Sequence, residues 1–580
     1  MIREERLWII SWAAAMGICL LLLHNVVLGL GELDSRFSLI WPAYMMVVCL
    51  PLTMQMLSVH RRQQILWLLA AGFSVVMAGA SAYLGGQCED TPGDFNVVVV
   101  FQIVAIAIIC WFILMPFAEH KLSRSHWCDD YSLLYTAAWR NVFKLSSALV
   151  FVGLFWGLLS LWAGLFKVLR VELFTDLFSN RYFYYPITTI AFGLGLSLYS
   201  AKEEMLAGVY RACLNVFAWL LPLVAFILVF FLLALVFQGL EPLWHTGYAT
   251  GLMLTLLALA IFLFNAAWQD GSGADKFPAW LLTVMASGLV AMPCYIVLCA
   301  YALNLRVVQH GWSIERIWAA LVILLFAIYA VGYAFTALRR QSPWMHGAKA
   351  INISAALAVV VLLVLTCTPL LNPARIAVDN QIARLLANTT PVDQFDFNYL
   401  RFQSGKYGNQ GLQRLLTIND HPQAALLHER AQAALKKTNR YEGNDHDVGM
   451  TAEKLLAKMR VYPQGAAVDK SLLAYWVNEI NGYRLTLNCF NDKQLCPLVQ
   501  IDLNADGNNE QVLLDLYRSK VFTIDNGYWQ EVGGLIGELH LLGGDELSKH
   551  FDAQAIAVQP HKWQDLRIGN EIYSIDDKRH

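Results

Sequence analysis

Apolar residues form long uninterrupted runs in the first two thirds of this chain and short patterned runs after that. Eleven runs of about 20 apolar residues precede residue 372, from Leu7–Leu30 to Ile351–Leu371. A run of that length forms a helix that can cross the roughly 30 Å hydrocarbon core of a bilayer. The sixth run, Tyr182–Ala201, is the least distinct, because Pro186 opens a short apolar stretch. The pattern predicts eleven membrane crossings.

Beyond residue 371 the spacing of apolar positions changes. Ile376–Leu386 and Ala424–Leu435 place apolar residues three and four apart, the spacing of amphipathic helices. From residue 482 onward, short alternating runs are typical of strands. Asn526 and Gly527 stand between two such runs and favour a two-residue hairpin turn. We therefore expect helices followed by a small antiparallel sheet.

These patterns predict an α-helical polytopic membrane protein with about eleven transmembrane helices and a C-terminal soluble α+β domain. Three parts follow in order: a transmembrane bundle, a helical segment, and a small β-rich subdomain, over residues 1–371, 372–465 and 466–580.

Composition and charge add an orientation. Charged residues make up only 15% of the chain, against about 25% in ordinary soluble domains. A net charge of −2 gives no basic field, so we expect no nucleic-acid partner. Before residue 372, if the N-terminus lies inside, the segments between the apolar runs place fourteen Lys and Arg on the inside and six on the outside. This bias predicts a cytoplasmic N-terminus and an exported C-terminal domain.

The apolar runs hold no acidic or basic residue in their interiors. Ion-coupled transporters usually keep ionisable side chains at mid-membrane, so the pattern argues against ion coupling and leaves lipid passage open. The polar candidates near the ends of runs are interpreted as interfacial or helix-packing residues: His24, Asn25, Asn265 and Asn304.

An acidic loop in the C-terminal part has the pattern of a calcium site. Ca²⁺ takes six to eight oxygen ligands, which a tight loop can offer from alternate positions around a glycine turn. Gly507 stands at that turn, but Leu513 replaces the twelfth-position Glu of an EF-hand. The pattern instead resembles the strand–loop–strand calcium loops of FG-GAP-like repeats. An ion-free polar turn is the alternative to a structural Ca²⁺ bound by Asp502, Asn504, Asp506, the Asn508 carbonyl and Glu510.

Two cysteines stand apart from the others. Nine of the eleven cysteines lie in or beside apolar runs, where cysteine is a small apolar residue. Cys489 and Cys496 alone lie in the soluble part. An exported location favours a disulfide between them, and the lack of a second pair or a nearby His disfavours zinc.

Known catalytic motifs are not found in this sequence, which does not exclude an enzyme. The chain contains no nucleophile elbow, zincin helix, P-loop or dinucleotide fingerprint. We therefore name no catalytic residue and no organic cofactor, and we favour a non-enzymatic role.

Four segments resemble the DUF4153 family of bacterial membrane proteins: Leu305–Arg316, Phe395–Gly408, the acidic loop, and Trp563–Leu566. The resemblance implies a multi-pass inner-membrane protein, and with the charge bias it places the C-terminal domain in the periplasm. It implies no activity.

Arg306 and Arg316 lie in a predicted outside loop, against the charge bias. Gly311 permits a turn between them, and Ser313 can cap the helix that follows. The two arginines could bind the soluble domain, lipid headgroups or an anionic ligand, and we favour structural docking.

The resulting hypothesis is an envelope sensor, binding protein or scaffold with a periplasmic ligand- or ion-binding domain. Membrane lipid and envelope proteins are its candidate partners. A transporter or lipid-handling protein, and an enzyme acting on lipid-linked substrates, are the alternatives.

Overall fold

The structure is a computed structural model, and it divides into two compact units, Met1–Thr438 and Asn439–His580. It describes residues 2–29, 37–88, 93–124, 126–128, 130–201, 203–241, 249–271, 276–339, 344–437, 451–481, 496–514, 519–525, 527–534, 566–568 and 571–573.

The first unit is helical throughout its described residues. Twelve helices of the bundle follow one another along the chain: α1 (Ile2–Gly29), α2 (Phe37–Met56), α3 (Gln64–Gly85), α4 (Gly93–Arg124), α5 (Tyr131–Val168), α6 (Leu173–Ser179), α7 (Arg181–Ala201), α8 (Glu203–Gln238), α9 (Ala249–Trp268), α10 (Ala279–His310), α11 (Ile314–Arg339) and α12 (Ala348–Thr366).

Ten helices within the described residues are long and apolar enough to cross a membrane, namely α1–α5 and α8–α12. The predicted sixth crossing, Tyr182–Ala201, does form a helix, but α7 is not among these ten. Its sequence begins with Arg181, four aromatic residues and Pro186, which dilute its apolar character. The architecture is that of a membrane protein.

Two apolar cores of the described bundle belong to different groups of helices, and a third core joins α12 to α2, α3 and α4 around Met77 and Cys110. Side chains of α1–α5 and α7 surround Ile9, Trp111 and Leu196, and side chains of α8–α12 surround Phe264 and Tyr333. Small residues bring α7 close to its neighbours. A Cβ added at Gly193 would lie 2.6 Å from Ala13 Cβ, and one at Gly195 would lie 2.8 Å from Ala148 Cα. Such close approach is how small residues promote helix association in membranes.

Residues 373–437 form what we call the cap, a cluster of four helices in the same compact unit as the bundle. Asn372 starts the first of them by accepting the Arg375 N–H at 3.0 Å, and Pro373 occupies the first helical position. The cap has its own apolar core around Leu385, Leu412 and Leu427. Its helices are α13 (Pro373–Leu386), α14 (Phe397–Gln403), α15 (Gly405–Leu415) and α16 (Ala424–Lys436).

The second unit contains two helices and two sheets among its described residues. The elements are α17 (Ala452–Ala457), β1 (Met459–Tyr462), α18 (Lys470–Asn481), β2 (Cys496–Ile501), β3 (Glu510–Leu513), β4 (Lys520–Asp525), β5 (Tyr528–Gly533), β6 (Leu566–Ile568) and β7 (Glu571–Tyr573). The first five strands form one sheet in sequence order, and β6 pairs with β7.

The larger sheet is mixed, so the expectation of an antiparallel sheet was wrong. β1 pairs in parallel with β2, and α18 connects the two strands. A parallel pair needs such a crossover. Trp476 of α18 is fully buried against the sheet, with its ring 5.2 Å from the ring of Phe522. The other neighbouring strands are antiparallel.

The predicted hairpin between β4 and β5 is present, and Asn526 itself lies outside the described residues. β4 and β5 pair up to Asp525 and Tyr528, which leaves a two-residue connection. Gly527 has φ +82°, the left-handed conformation that such turns require.

Candidate functional site

The connection between α10 and α11 is held by side chains of α13. The Trp312 N–H donates to Asn380 Oδ1 at 2.9 Å. Gln381 Nε2 donates to the carbonyl oxygens of His310 and Trp312 at 3.0 and 2.8 Å. Arg384 donates to two more carbonyl oxygens near the end of α10, at 3.2 and 3.1 Å. We call this contact the clasp. It satisfies backbone groups that the end of a helix leaves without intrahelical partners.

Gly311 is required at the centre of the clasp. Its backbone has φ +74° and ψ −178°, a combination that is essentially restricted to glycine. An added Cβ would lie 2.7 Å from Arg384 Cδ and 2.9 Å from Asn380 Oδ1. The turn predicted from this glycine is therefore also the place where bundle and cap approach most closely in the clasp.

The two arginines predicted to act at this loop have different surroundings. The Arg316 guanidinium turns back on the loop and donates to the Gly311 carbonyl at 2.6 Å. The backbone N–H of Arg316 donates to Ser313 Oγ at 3.4 Å. Arg306 is exposed on α10. The hydrogen bonds described above between this loop and the cap come from the α13 side chains. These side chains are not predictable from the sequence, because a polar stripe on a helix is more often a solvated face.

Tyr399 fixes the other side of the same connection. It lies in the motif Phe395–Gly408, and its hydroxyl oxygen accepts the Ile314 N–H at 3.0 Å. Asp396 caps α14 by accepting the Tyr399 N–H at 2.9 Å. Burial raises the pKa of Tyr399 to about 12. The phenol is therefore neutral at physiological pH and acts as a hydrogen-bonding group.

A second contact joins the cap to the end of α3. The hydroxyl groups of Tyr83 and Tyr407 lie 2.9 Å apart, and the Lys406 N–H donates to the Gln87 carbonyl at 3.0 Å. Gly408 packs so tightly on α14 that an added Cβ would lie 1.8 Å from the Leu400 carbonyl oxygen. The cap is thus attached to the bundle at two connections that are far apart in the sequence.

The acidic loop connects β2 and β3 and folds back on its own side chains. Asp502 accepts the Asp506 N–H at 3.2 Å and the Gly507 N–H at 2.9 Å. Asn504 Oδ1 accepts the Asp506 N–H at 2.9 Å, and Asp506 accepts the Asn508 N–H at 2.7 Å. Side-chain oxygens from the first, third and fifth positions therefore face the same short stretch of backbone.

Glu510 behaves differently from the other acidic side chains of the loop. It is 4% exposed, and its carboxylate accepts the Leu503 N–H at 2.7 Å and the Thr523 hydroxyl at 3.3 Å. The Asn508 N–H, followed by the Asn504 amide, holds the pKa of exposed Asp506 below its usual range. Within the described residues, no three His, Cys, Asp or Glu side chains are grouped as metal ligands would be.

The predicted cysteine pair is described only in part. Cys496 begins β2 and is fully buried in the core of the second unit. Cys489 lies outside the described residues, so the disulfide stays a prediction.

A buried polar network that the sequence analysis largely missed joins four helices of the bundle. Asn352 Nδ2 donates to Tyr131 Oη and Asn265 Oδ1, both at 2.7 Å. Tyr333 donates to Asn352 Oδ1 and accepts from Asn265 Nδ2. These groups satisfy one another, as expected of polar contacts that hold membrane helices together. Of these four residues, the sequence pattern indicates only Asn265, as an interfacial or helix-packing residue.

Comparison with known proteins gives one match. The family described as "Domain of unknown function (DUF4153)" matches residues 41–414. No curated protein and no solved structure matches the chain. The matched region begins inside α2 and ends in α15, so it includes the clasp but not the acidic loop. The chain therefore belongs to the DUF4153 family, through the bundle and most of the cap.

Proposed function

We propose that the chain is a non-enzymatic sensor or scaffold of the bacterial inner membrane, with its N-terminus in the cytoplasm and residues 372–580 in the periplasm. The observation that carries the proposal is the double attachment of the cap. The clasp and the Tyr83–Tyr407 contact make the cap part of the bundle, so a load or ligand acting on it acts on the crossing helices.

The same contacts support eleven crossings. Tyr83 and Tyr407 touch, so the end of α3 and the cap lie on one side of the membrane. Seven of the ten apolar helices of the described chain, α4, α5 and α8–α12, lie between them, and an odd number of crossings would place them on opposite sides. Counting α7 makes the number even. Its 21 residues span about 31 Å at 1.5 Å per residue, enough for the bilayer core.

Reporter fusions test this topology. A periplasm-active phosphatase fused after Val171 should be active, one fused after Ala201 inactive, and one fused after Gly239 active. Matched fusions to a cytoplasm-active reporter should give the opposite pattern. Equal phosphatase activity after Val171 and Ala201 would mean that α7 does not cross.

The acidic loop is the proposed ion-binding element of the periplasmic domain. Asp502, Asn504 and Asp506 already direct their oxygens to one stretch of backbone, which fits a calcium loop. Glu510 uses two positions for hydrogen bonds, and a carboxylate has about four lone-pair sites. It can therefore hold the base of the loop and still face a cation. Bound Ca²⁺ would supply structural rigidity to the turn between β2 and β3.

Calcium titration of the full-length protein in nanodiscs tests this element. Ca²⁺ should raise the melting temperature, and the near-isosteric double variant Asp502→Asn/Asp506→Asn should abolish the rise. Asp525→Asn is the matched control, because Asp525 lies on the β4–β5 turn and binds Gln530. An equal rise in the double variant would refute the assignment.

The proposed sensing role also predicts that the periplasmic domain and the clasp are coupled. A ligand of the periplasmic domain should change hydrogen exchange at the clasp amides of Trp312 and Ile314, because coupling between two sites is a free energy that both share. If Ca²⁺ stabilises the protein without changing this exchange, the protein binds calcium but does not act as a calcium sensor.

A lipid-handling role is the second candidate. A specific observation favours it, an apolar crevice between crossing helices.

A further inference from the structure

A crevice of about 550 Å³ opens between α3, α4 and α12. This volume lies within the range of about 300–1,000 Å³ typical of ligand pockets. Its floor is buried and its rim is exposed: Thr53, Met77 and Met115 form the floor, and Leu68, Val76 and Leu357 form the rim. Since the rim belongs to helices that cross the membrane, the crevice opens sideways towards the hydrocarbon of the bilayer.

The interior of the crevice suits a hydrocarbon chain rather than water. Thr53 supplies the hydroxyl of the floor, and that hydroxyl already donates to the Cys49 carbonyl at 2.8 Å and accepts from Trp111 Nε1 at 3.1 Å. A buried water needs two to four polar partners. The other floor side chains, Met77 and Met115, are flexible and apolar and adapt to the shape of an apolar guest.

The crevice begins near one end of the bundle and reaches past the middle of the membrane. Gln63 Nε2 donates to the Leu122 carbonyl at 3.1 Å, so the start of α3 and the end of α4 lie at the same end of the bundle. The lining stretch of α3, Leu68 to Met77, lies about 6 to 20 Å from Gln64 along the helix. On the proposed topology that end of the bundle faces the cytoplasm, so the mouth of the crevice lies in the cytoplasmic leaflet.

Positive charge and an aromatic ring stand at the mouth. Trp127 and Cys128, in the connection after α4, line the crevice and are exposed. Lys121 Nζ lies 5.7 Å from the centroid of the Trp127 ring, and Arg124 follows in the last turn of α4. Tryptophan favours the membrane interface, and basic side chains there attract anionic lipid headgroups.

We propose that this crevice binds one acyl chain of an anionic phospholipid, whose headgroup lies beside Lys121 and Arg124. The inference requires that α3, α4 and α12 cross the membrane. It is independent of the calcium loop and of the sensing role, so failure of either leaves it standing.

Two glycines of α3 provide a matched pair of variants. Gly72 lines the crevice, and an added Cβ there would meet nothing within 4 Å. Gly72→Leu therefore fills the crevice without a backbone clash. Gly79 is also exposed on α3 with nothing within 4 Å of an added Cβ, and it does not line the crevice. Both substitutions replace a helical glycine by a better helix former, so they should have similar effects on folding.

The test is photo-crosslinking of the full-length protein in phosphatidylcholine nanodiscs that contain a small fraction of phosphatidylglycerol with a diazirine in one acyl chain. Peptide mapping should place adducts on the crevice residues of α3, α4 and α12. Gly72→Leu should lower the yield at α4 and α12 at least tenfold, and Gly79→Leu should leave it unchanged. Lys121→Gln should lower it about fivefold, as expected for one basic residue near an anionic headgroup.

Several results would overturn the proposal. An unchanged yield in Gly72→Leu would show that the adducts come from lipid on the outside of the bundle. An equal yield from the same diazirine in phosphatidylcholine would remove the selectivity for anionic headgroups. Cross-links between the crevice and a second copy of the chain, in place of lipid adducts, would identify a protein interface.

Discussion

Gly311→Ala should open the clasp between bundle and cap. Alanine would have to adopt φ +74° and ψ −178°, at a cost of about 1–3 kcal/mol. Its Cβ would also displace Arg384 and Asn380 from positions 2.7 and 2.9 Å away. Losing the bond from Trp312 to Asn380 adds about 0.5–1.5 kcal/mol. The total is about 1.5–4.5 kcal/mol, which corresponds to an open population roughly 10 to 1,600 times larger.

Hydrogen exchange measured by mass spectrometry reports this opening directly. The amides of Trp312 and Ile314 donate to side chains of the cap, not to their own helix. Their exchange therefore follows local separation of the clasp. In the full-length protein in nanodiscs, a peptide covering residues 311–316 should exchange at least tenfold faster in Gly311→Ala, while peptides of the α9 core should not change.

Gly239→Ala is the control for positive φ alone. Gly239 has φ +79°, and an added Cβ there would meet nothing within 4 Å. It should leave exchange at residues 311–316 unaltered. If Gly311→Ala changes that exchange by less than twofold, the turn tolerates a side chain and the clasp is not the rigid junction described here.

Three further predictions concern the cap contact and the second unit. Tyr407→Phe removes one hydroxyl of the pair with Tyr83 and should destabilise the first unit by about 1 kcal/mol, visible as a lower midpoint of SDS denaturation; no change would mean that water replaces the bond. Trp476→Ala removes a fully buried ring and should cost about 3–5 kcal/mol, so protease should cut residues 451–534 of the intact protein. Cys489 and Cys496 should resist iodoacetamide until a reductant is added, and alkylation without reductant would exclude the disulfide.

The long apolar helices could be located from hydropathy, and α7 is the helix that hydropathy indicates least clearly. A span is recognised by its own apolar content, and α7 has an aromatic and polar first turn around Pro186. What places it in the bundle is its fit to two neighbours, through Gly193 on Ala13 and Gly195 on Ala148. Such fits depend on residues distant in sequence, which periodicity does not detect.

The mixed sheet illustrates a similar limit. The two-residue turn at Asn526 and Gly527 was predictable because local backbone geometry selects those residues. β1 was not, because Met459–Tyr462 is only four residues long and is stabilised as a strand by its parallel partner β2. Strand formation in so short a segment depends on cross-strand packing more than on propensity.

The acidic loop and the clasp differ in how far the sequence pattern predicts them. The acidic loop is local, so its spacing alone identified Asp502, Asn504 and Asp506 as neighbours. The clasp is not local. Gly311 and the two arginines of the loop are recognisable from the sequence, but Asn380 and Gln381 are about 70 residues away and look like an ordinary polar helix face.

The family match divides the proposed functions into those of the matched region and those of the rest of the chain. It covers the region from within α2 to α15, including the crevice, the clasp and the Tyr83–Tyr407 contact, and it ends before the second unit. A role that rests on this matched region must therefore be performed by the bundle with its attached cap. Ion binding at the acidic loop, and a disulfide at Cys496, would belong to the part of this chain beyond the match. The lipid and calcium experiments thus test different parts of the protein, and each can succeed without the other.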